Sequence, residues 1–303
     1  MPSIVTQICD GEEIGRGEAA GVYYHNEDQA RMIADVESVT LAIEAGATRA
    51  ELQALLPPSG ARNALDCALW ELDARVARRP VWSLAGLAPP RPLLTTFTLP
   101  ADKPAQIAEK IKRLGFAKAI KLKLEGNLDE DRERVAAVRS ARPDVWLSVD
   151  ANQGFTNKDL DGLARIAHDY SVGLIEQPVR RGDEAALDGW RPGIPVAADE
   201  SILHLGELDD RANPFDVINI KLDKCGGLTE ALAMAHAVRA MGKKVMIGNM
   251  GGSTLAMAPG FVVGQLCDFV DLDGPFALAD DPLASEIFAD GSIFVPEAIW
   301  GFV

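Results

Sequence analysis

LLTTFTLPADKPAQIAEKIKRLGFAKAIKLKL, residues 93–124, reads as a strand, an amphipathic helix and a second strand. The flanking runs LLTTFTL (93–99) and KAIKLKL (118–124) are β-rich, and PAQIAEKIKRLG (104–115) between them has helical patterning. The alternation continues through VWLSVD (145–150), VGLIE (172–176), IPVAAD (194–199), FDVINIK (215–221), KVMIGN (244–249) and FVDLD (269–273). Most of these runs are rich in Val, Ile and Leu, as strands buried on both faces are. LTEALAMAHAVRAMG (228–242) is another helical stretch and stops at Gly242. Eight strands with intervening helices predict an α/β fold of the (β/α) barrel type. A doubly wound open sheet is the rival, but it calls for a Gly-rich first turn and no G-x-G-x-x-G is present.

Working outward, residues 1–91 read as a smaller domain, 92–283 as the barrel, and 284–303 as a β-type tail that returns to the first domain. The Pro-rich stretch LAPPRP (87–92) marks the first boundary. A short β segment (4–20) precedes helical patterns at 26–45, 48–55 and 60–78, and GARNALDCALWELDARV (60–76) reads as strongly amphipathic. Gly15 and Gly17 read as the flank of a β-hairpin.

The chain has 303 residues and a net charge of −15, which disfavours nucleic acid and anionic membranes as partners. No apolar run approaches the roughly 18 residues of a membrane span, and MPSIVTQICDGEE (1–13) lacks the pattern of a secretory signal. A cytoplasmic location is the default expectation, with homo-oligomerisation left open. Cys9, Cys67, Cys225 and Cys267 are scattered without a C-x-x-C pair, so reduced thiols are expected rather than disulfides or zinc.

The strand ends carry the chemistry, because barrel enzymes place reactive groups at the C-terminal ends of their strands. Strand two ends in Lys121 and Lys123, strand three in Asp150, strand four in Glu176, strand five in Asp199 and strand six in Lys221. From Lys123 onward the separations are 27, 26, 23 and 22 residues, about one strand–helix unit each. A lone Asp after a strand is commonly a helix cap, but this joint pattern on five successive strands is hard to obtain from caps. Three carboxylates converging from neighbouring strands repel unless a cation joins them. An all-oxygen set suits a hard ion such as Mg²⁺, and zinc fits poorly. Residues two apart on a strand share a face, so Lys121 and Lys123 both point inward, and Lys221 comes from the opposite wall. A substrate between two amines can lose a proton on one face and regain one on the other, while the metal stabilises the enediolate form of its carboxylate.

The segments KLK (121–123), VDAN (149–152), IEQP (175–178), ADES (198–201) and INIKLDKCGG (218–227) resemble the enolase superfamily in its muconate-lactonizing subgroup. ARNALDCALWELDAR (61–75) and AIWG (298–301) extend the resemblance over almost the whole chain. It implies a modified (β/α)7β barrel with an α+β capping domain formed by the N-terminal region and the tail. It further implies Mg²⁺ ligation by Asp150, Glu176 and Asp199, and an acid–base pair of Lys123 and Lys221. Lys121 would polarise the substrate carboxylate and depress the pKa of Lys123, and Lys224 reads as a loop lysine rather than a base. The family begins with an extra β-strand and a lid loop; this chain reads as starting within the second strand.

FVDLD places Asp271 and Asp273 on one face of the eighth strand, where two carboxylates could hold an ammonium group. The pair resembles that of dipeptide epimerases, which bind a dipeptide's α-amino group. The expectation is epimerisation of a small-molecule dipeptide of the Ala-Glu type, linked to murein peptides, by 1,1-proton transfer. A strand-end pair capping the turn before Gly274-Pro275 is the bland alternative. N-acylamino acid racemases, o-succinylbenzoate synthases and muconate cycloisomerases are the rival activities, and their substrates carry no free ammonium. A barrel reduced to a binding protein would show a broken set of lysines or carboxylates, and all six are present. Asn249 in GNMGGST (248–254) stands where relatives often carry Cys, and that Gly-rich turn could instead cradle an anion. His25, His168, His204 and His236 read as non-catalytic, and Tyr23 and Tyr24 as packing residues in a capping loop.

Overall fold

The computed structural model describes residues 2–301. Two strands open the chain, β1 (Ser3–Asp10) and β2 (Glu13–Ala20). They pair antiparallel from Ser3↔Ala20 to Asp10↔Glu13, around a turn at Gly11 with φ of +61°. The β segment expected over 4–20 is thus a hairpin. Three helices follow, α1 (Gln29–Glu44), α2 (Arg49–Leu55) and α3 (Gly60–Ala77), started by the side chains of Asp28, Thr48 and Ser59. Gly15 and Gly17 lie within β2 rather than flanking it, because β2 runs hard against α3. A Cβ at Gly15 would stand 2.0 Å from the Ala68 carbonyl oxygen, and one at Gly17 2.0 Å from that of Ala64.

α3 corrects the amphipathic reading. Arg62, Asn63, Asp66 and Glu71, the polar side of the pattern, are buried together with Ala61, Ala64, Ala68 and Leu65. The polar stripe faces hydrogen-bonding partners inside the protein rather than water.

The eight barrel strands are β4 (Thr96–Leu99), β5 (Ala119–Lys123), β6 (Trp146–Asp150), β7 (Leu174–Glu176), β8 (Val196–Ala198), β9 (Val217–Lys221), β10 (Lys244–Gly248) and β11 (Phe269–Val270). They form one near-closed sheet in chain order from β4 to β11. The run LLTTFTL is split: Leu93–Leu94 is a separate strand, β3, joined to β12 (Phe288–Ala289) and β13 (Ser292–Ile293) in the order β12-β13-β3. The break falls at Thr95, whose N–H donates to the Gly291 carbonyl at 3.2 Å. FVDLD contracts to Phe269–Val270, so Asp271 and Asp273 stand beyond the strand.

The chain divides into two compact units. One comprises Leu94–Asn219 and Ala289–Ser292. Its parallel strands are flush where the ionisable residues lie, with Lys123 opposite Asp150 and Asp150 opposite Glu176. The other comprises Met1–Leu93, Ile220–Phe288 and Ile293–Val303. Within it the C-terminal tail is tied to the hairpin and to the segment after α3. Trp300 Nε1 donates to the Arg16 carbonyl at 2.9 Å, Arg16 Nη2 to the Ile299 carbonyl at 2.6 Å, and Val81 N to the Gly301 carbonyl at 2.8 Å.

Candidate active site

The register of β5, β6 and β7 brings four predicted residues together. Register partners in a parallel sheet share a face, so Lys121, Lys123, Asp150 and Glu176 lie on one face. The Lys121 ammonium is 4.0 Å from Asp150 Oδ2 and 3.6 Å from Glu176 Oε2. Lys123 Nζ is 3.8 Å from Asp150 Oδ2 and donates to Asn152 Oδ1 at 3.2 Å. The two lysines differ in solvation: the side chain of Lys121 is 5% exposed and that of Lys123 42%. Lys121 is thus enclosed between two carboxylates, whereas Lys123 reaches solvent. Among the described residues no group of three or more His, Cys, Asp or Glu side chains is already drawn together closely enough to hold an ion.

Asp199 follows β8 and is buried. Ala197 is level with Glu176, and Asp199 lies two residues on, the spacing that keeps a strand face. Its backbone is held by a residue that charge patterning passed over. Gln177 is wholly buried, its Oε1 accepting from Asp199 N at 2.8 Å and Ser201 N at 3.1 Å, and its Nε2 donating to Ser201 Oγ at 2.7 Å. Arg181 braces the same loop through the Glu200 carbonyl at 2.8 Å. Asn219 is a second unforeseen member: its Nδ2 donates to Glu176 Oε1 at 2.7 Å and fixes that carboxylate. Asn152 is the third. All three lie inside or beside the quoted motifs, but a neutral amide gives no sign of its partner.

Lys221 ends β9 and is 7% exposed. Lys224 is not a loop lysine. It lies in the helical turn Leu222–Cys225 and is buried, because that turn is drawn into the core of its unit. Asp271 is buried and Asp273 half-buried. Asn249 holds this corner: its Nδ2 donates to the Asp271 carbonyl at 2.8 Å and to Asp273 Oδ1 at 3.4 Å, and its Oδ1 accepts from Gly251 N at 2.8 Å. Asp273 precedes the 3₁₀ turn Gly274–Ala277, and its side chain makes no capping hydrogen bond to that turn.

The Gly-rich turn offers no cradle for an anion. Ser253 Oγ donates to Glu18 Oε2, and Thr254 N donates to Asp281 Oδ2 at 2.6 Å. Two carboxylates already use the N-terminus of the helix Thr254–Gly264 and would repel a phosphate. Tyr23 and His25 are exposed in a 3₁₀ turn, with Tyr24 half-buried and its ring edge-on to Tyr23 and tilted against His25. His204 precedes a 3₁₀ turn.

Two buried carboxyls give the fold a pH dependence. Burial pushes Asp66 up to about 6, against hydrogen bonds from Thr229. Burial likewise pushes Asp223 up to about 7, opposed by hydrogen bonds from Asn63 and Ala20 and assisted by the charges of Glu27 and Glu18. Both folded values lie above the ordinary carboxylate value, so the folded state binds more protons than the unfolded state between about pH 4 and pH 7. Stability is therefore present at low pH and lost as pH rises through that window. The urea midpoint is expected to fall between about pH 5 and pH 7.5, and Asp223→Asn to flatten the slope. An unchanged slope in that variant would remove Asp223 as a source.

Two family models match the chain, Enolase C-terminal domain-like over residues 104–298 and Mandelate racemase / muconate lactonizing enzyme, N-terminal domain, over 9–86. The chain is 38% identical to the L-Ala-D/L-Glu epimerase of Escherichia coli (strain K12), over 96% of this chain and 90% of that protein. It is 33% identical to the N-acetyl-D-glutamate racemase of Pseudoalteromonas sp, over 98% and 95%. An enolase family member from Agrobacterium tumefaciens with homology to dipeptide epimerases, solved with sodium and L-Ala-L-Glu, superposes with a TM-score of 0.90 at 33% identity, covering 99% of this chain and 91% of that one. The dipeptide epimerase from Methylococcus capsulatus, solved with Mg and L-Arg-D-Lys, superposes with a TM-score of 0.85 at 26% identity over 97% and 89%. The chain belongs to the enolase superfamily, and it is an isomerase of its epimerase and racemase branch.

Proposed function

We propose that the chain is a magnesium-dependent dipeptide epimerase that inverts the carbon α to the carboxylate of a dipeptide of the Ala-Glu type. The observation that carries this reading is the flush line of Lys123, Asp150 and Glu176 with the Lys121 ammonium between the two carboxylates. Asp150, Glu176 and Asp199 are the residues that would hold Mg²⁺; they offer oxygen only, as a hard divalent ion requires. The bound ion supplies positive charge to the substrate carboxylate and so acidifies the adjacent C–H. Lys121 adds a second cationic group there. Lys123 and Lys221 exchange the proton from opposite sides; β9 is the fourth strand on from β5 in the sheet order, which supports the placement. Murein-derived dipeptides and a cytoplasmic setting belong to the same reading.

Asp271 and Asp273 receive the α-ammonium of the dipeptide in this reading, with Asn249 holding Asp273 in place. Losing one partner of such a pair leaves a charge desolvated, at a cost of about 2–5 kcal/mol. Asp273→Asn is expected to lower kcat/KM for free dipeptides by about tenfold or more and to change it little for an N-acylated amino acid. The similarity to an N-acetyl-D-glutamate racemase supports the second reading, racemisation of N-acylamino acids. Free L-Ala-L-Glu against N-succinyl and N-acetyl glutamate on the unmutated protein decides between them. Clear preference for an acylated compound would replace the dipeptide reading.

A further inference from the structure

Glu71 of α3 pairs with Arg16 and Arg75, but four other side chains of the helix share a target. Arg62, Asn63, Asp66 and Trp70 are spaced to lie along one side of the helix, and each grips the segment that follows Lys221. Asn63 Nδ2 donates to Asp223 Oδ1 at 2.9 Å, and Ala20 N, at the end of β2, donates to the same oxygen at 3.0 Å. Arg62 donates from Nη2 to the Cys225 carbonyl at 2.6 Å and from Nε to the Gly226 carbonyl at 3.1 Å, and pairs with Glu230. Asp66 accepts from Thr229 N at 2.8 Å, and Trp70 Nε1 donates to Thr229 Oγ1 at 2.9 Å. Gly226 and Gly227 have φ of +75° and +117°, and a Cβ on either would strike Arg62 or Asp66. Gly226 N and Gly227 N donate to the Leu222 carbonyl at 2.7 and 3.0 Å, so the clamp begins at the residue after Lys221.

A helix needed only for packing would bury Leu and Ala there. Buried polar groups cost desolvation and return geometry, because a satisfied network admits one arrangement. We propose that Asn63, Asp223 and Arg62 are positioning residues for Lys221: through the turn Leu222–Gly227 they fix the direction in which the Lys221 side chain leaves β9. The proposal rests on Lys221 being one of the two bases.

The test is exchange of the substrate α-proton in heavy water, measured separately from the two epimers of Ala-Glu for Asn63→Ala, Asp223→Ala, Asp223→Asn and Lys221→Ala. Lys221→Ala identifies the epimer that Lys221 serves. For that epimer, Asn63→Ala and Asp223→Ala are expected to slow exchange about tenfold or more, within the hundredfold that a displacement of about 1 Å can cost. The other epimer should exchange within about twofold of the parent, and KM should hold within about threefold, since substrate binding is untouched. Asp223→Asn keeps the accepting oxygen and is expected to recover at least about fivefold over Asp223→Ala. Equal slowing of both epimers, or no slowing of either, overturns the positioning role; urea midpoints on the same samples exclude misfolded protein. If Lys221→Ala is one-sided and Asn63→Ala is not, the positioning role alone fails. If Lys221→Ala leaves both exchanges intact, Lys221 is not a base and both readings fail.

Discussion

Lys221→Ala and Lys123→Ala are each expected to abolish epimerisation, and each to leave the α-proton of one epimer exchangeable, the opposite epimer in the two cases. Inversion at carbon requires removal on one face and delivery on the other, so one missing amine stops the cycle. The surviving lysine can still remove and return a proton on its own face, and in heavy water it labels that epimer without inverting it. General acid–base groups contribute about 10²–10⁴-fold to a step, so a fall in turnover of at least about 10²-fold is expected. The two variants should differ in their tolerance of added amines. Lys123 is half-exposed and Lys221 is buried, so a small primary amine should restore more activity to Lys123→Ala than to Lys221→Ala. Near-normal epimerisation by either variant would remove the two-base assignment, and identical labelling of both epimers would remove the division into faces.

The placement of the candidate residues was legible where charge recurred with the fold's own period. An isolated Asp after VWLSVD says little, but Lys123, Asp150, Glu176, Asp199 and Lys221 at one-unit intervals require a common height, and β5 to β7 are flush at the first three. The strands were legible because runs of Val, Ile and Leu have few other uses. Thr95 broke a run without warning, since Thr suits strands and the backbone bond to Gly291 leaves no trace in composition. Gln177, Asn152 and Asn219 were invisible for a related reason: a neutral amide is equally at home on a surface. α3 misled most. Polar residues every three or four positions mark a helix side that needs hydrogen bonds, and the pattern does not say whether water or a buried turn supplies them. Gly226 and Gly227 were the overlooked signal, a place where the backbone had to admit Arg62 and Asp66.

Glu176→Gln is expected to remove the Mg²⁺ dependence of stability together with activity. Glu176 is wholly buried and lies opposite Asp150 in register, with Asn219 on Oε1 and Lys121 3.6 Å from Oε2. The substitution conserves volume and keeps an oxygen for Asn219, so the barrel should still fold. It removes one negative charge of three from the set proposed to hold the ion, and leaves Lys121 with Asp150 at 4.0 Å. An ion that binds only the folded state stabilises it by about 2.7 kcal/mol at one hundred times its Kd. The parent should therefore show a rise in urea midpoint on adding Mg²⁺, and Glu176→Gln should show little or none at the same concentration. Turnover should fall by at least about 100-fold, because the charge that acidifies the substrate C–H is worth several kcal/mol. Asp150→Asn should behave alike, with an added loss of order around Lys123, which loses a carboxylate 3.8 Å away. The midpoint carries the decision, since it reads ion binding without reference to catalysis. A Mg²⁺-induced rise in Glu176→Gln equal to the parent's would place the ion elsewhere, and absence of any rise in the parent would remove the assignment of Mg²⁺ to these carboxylates.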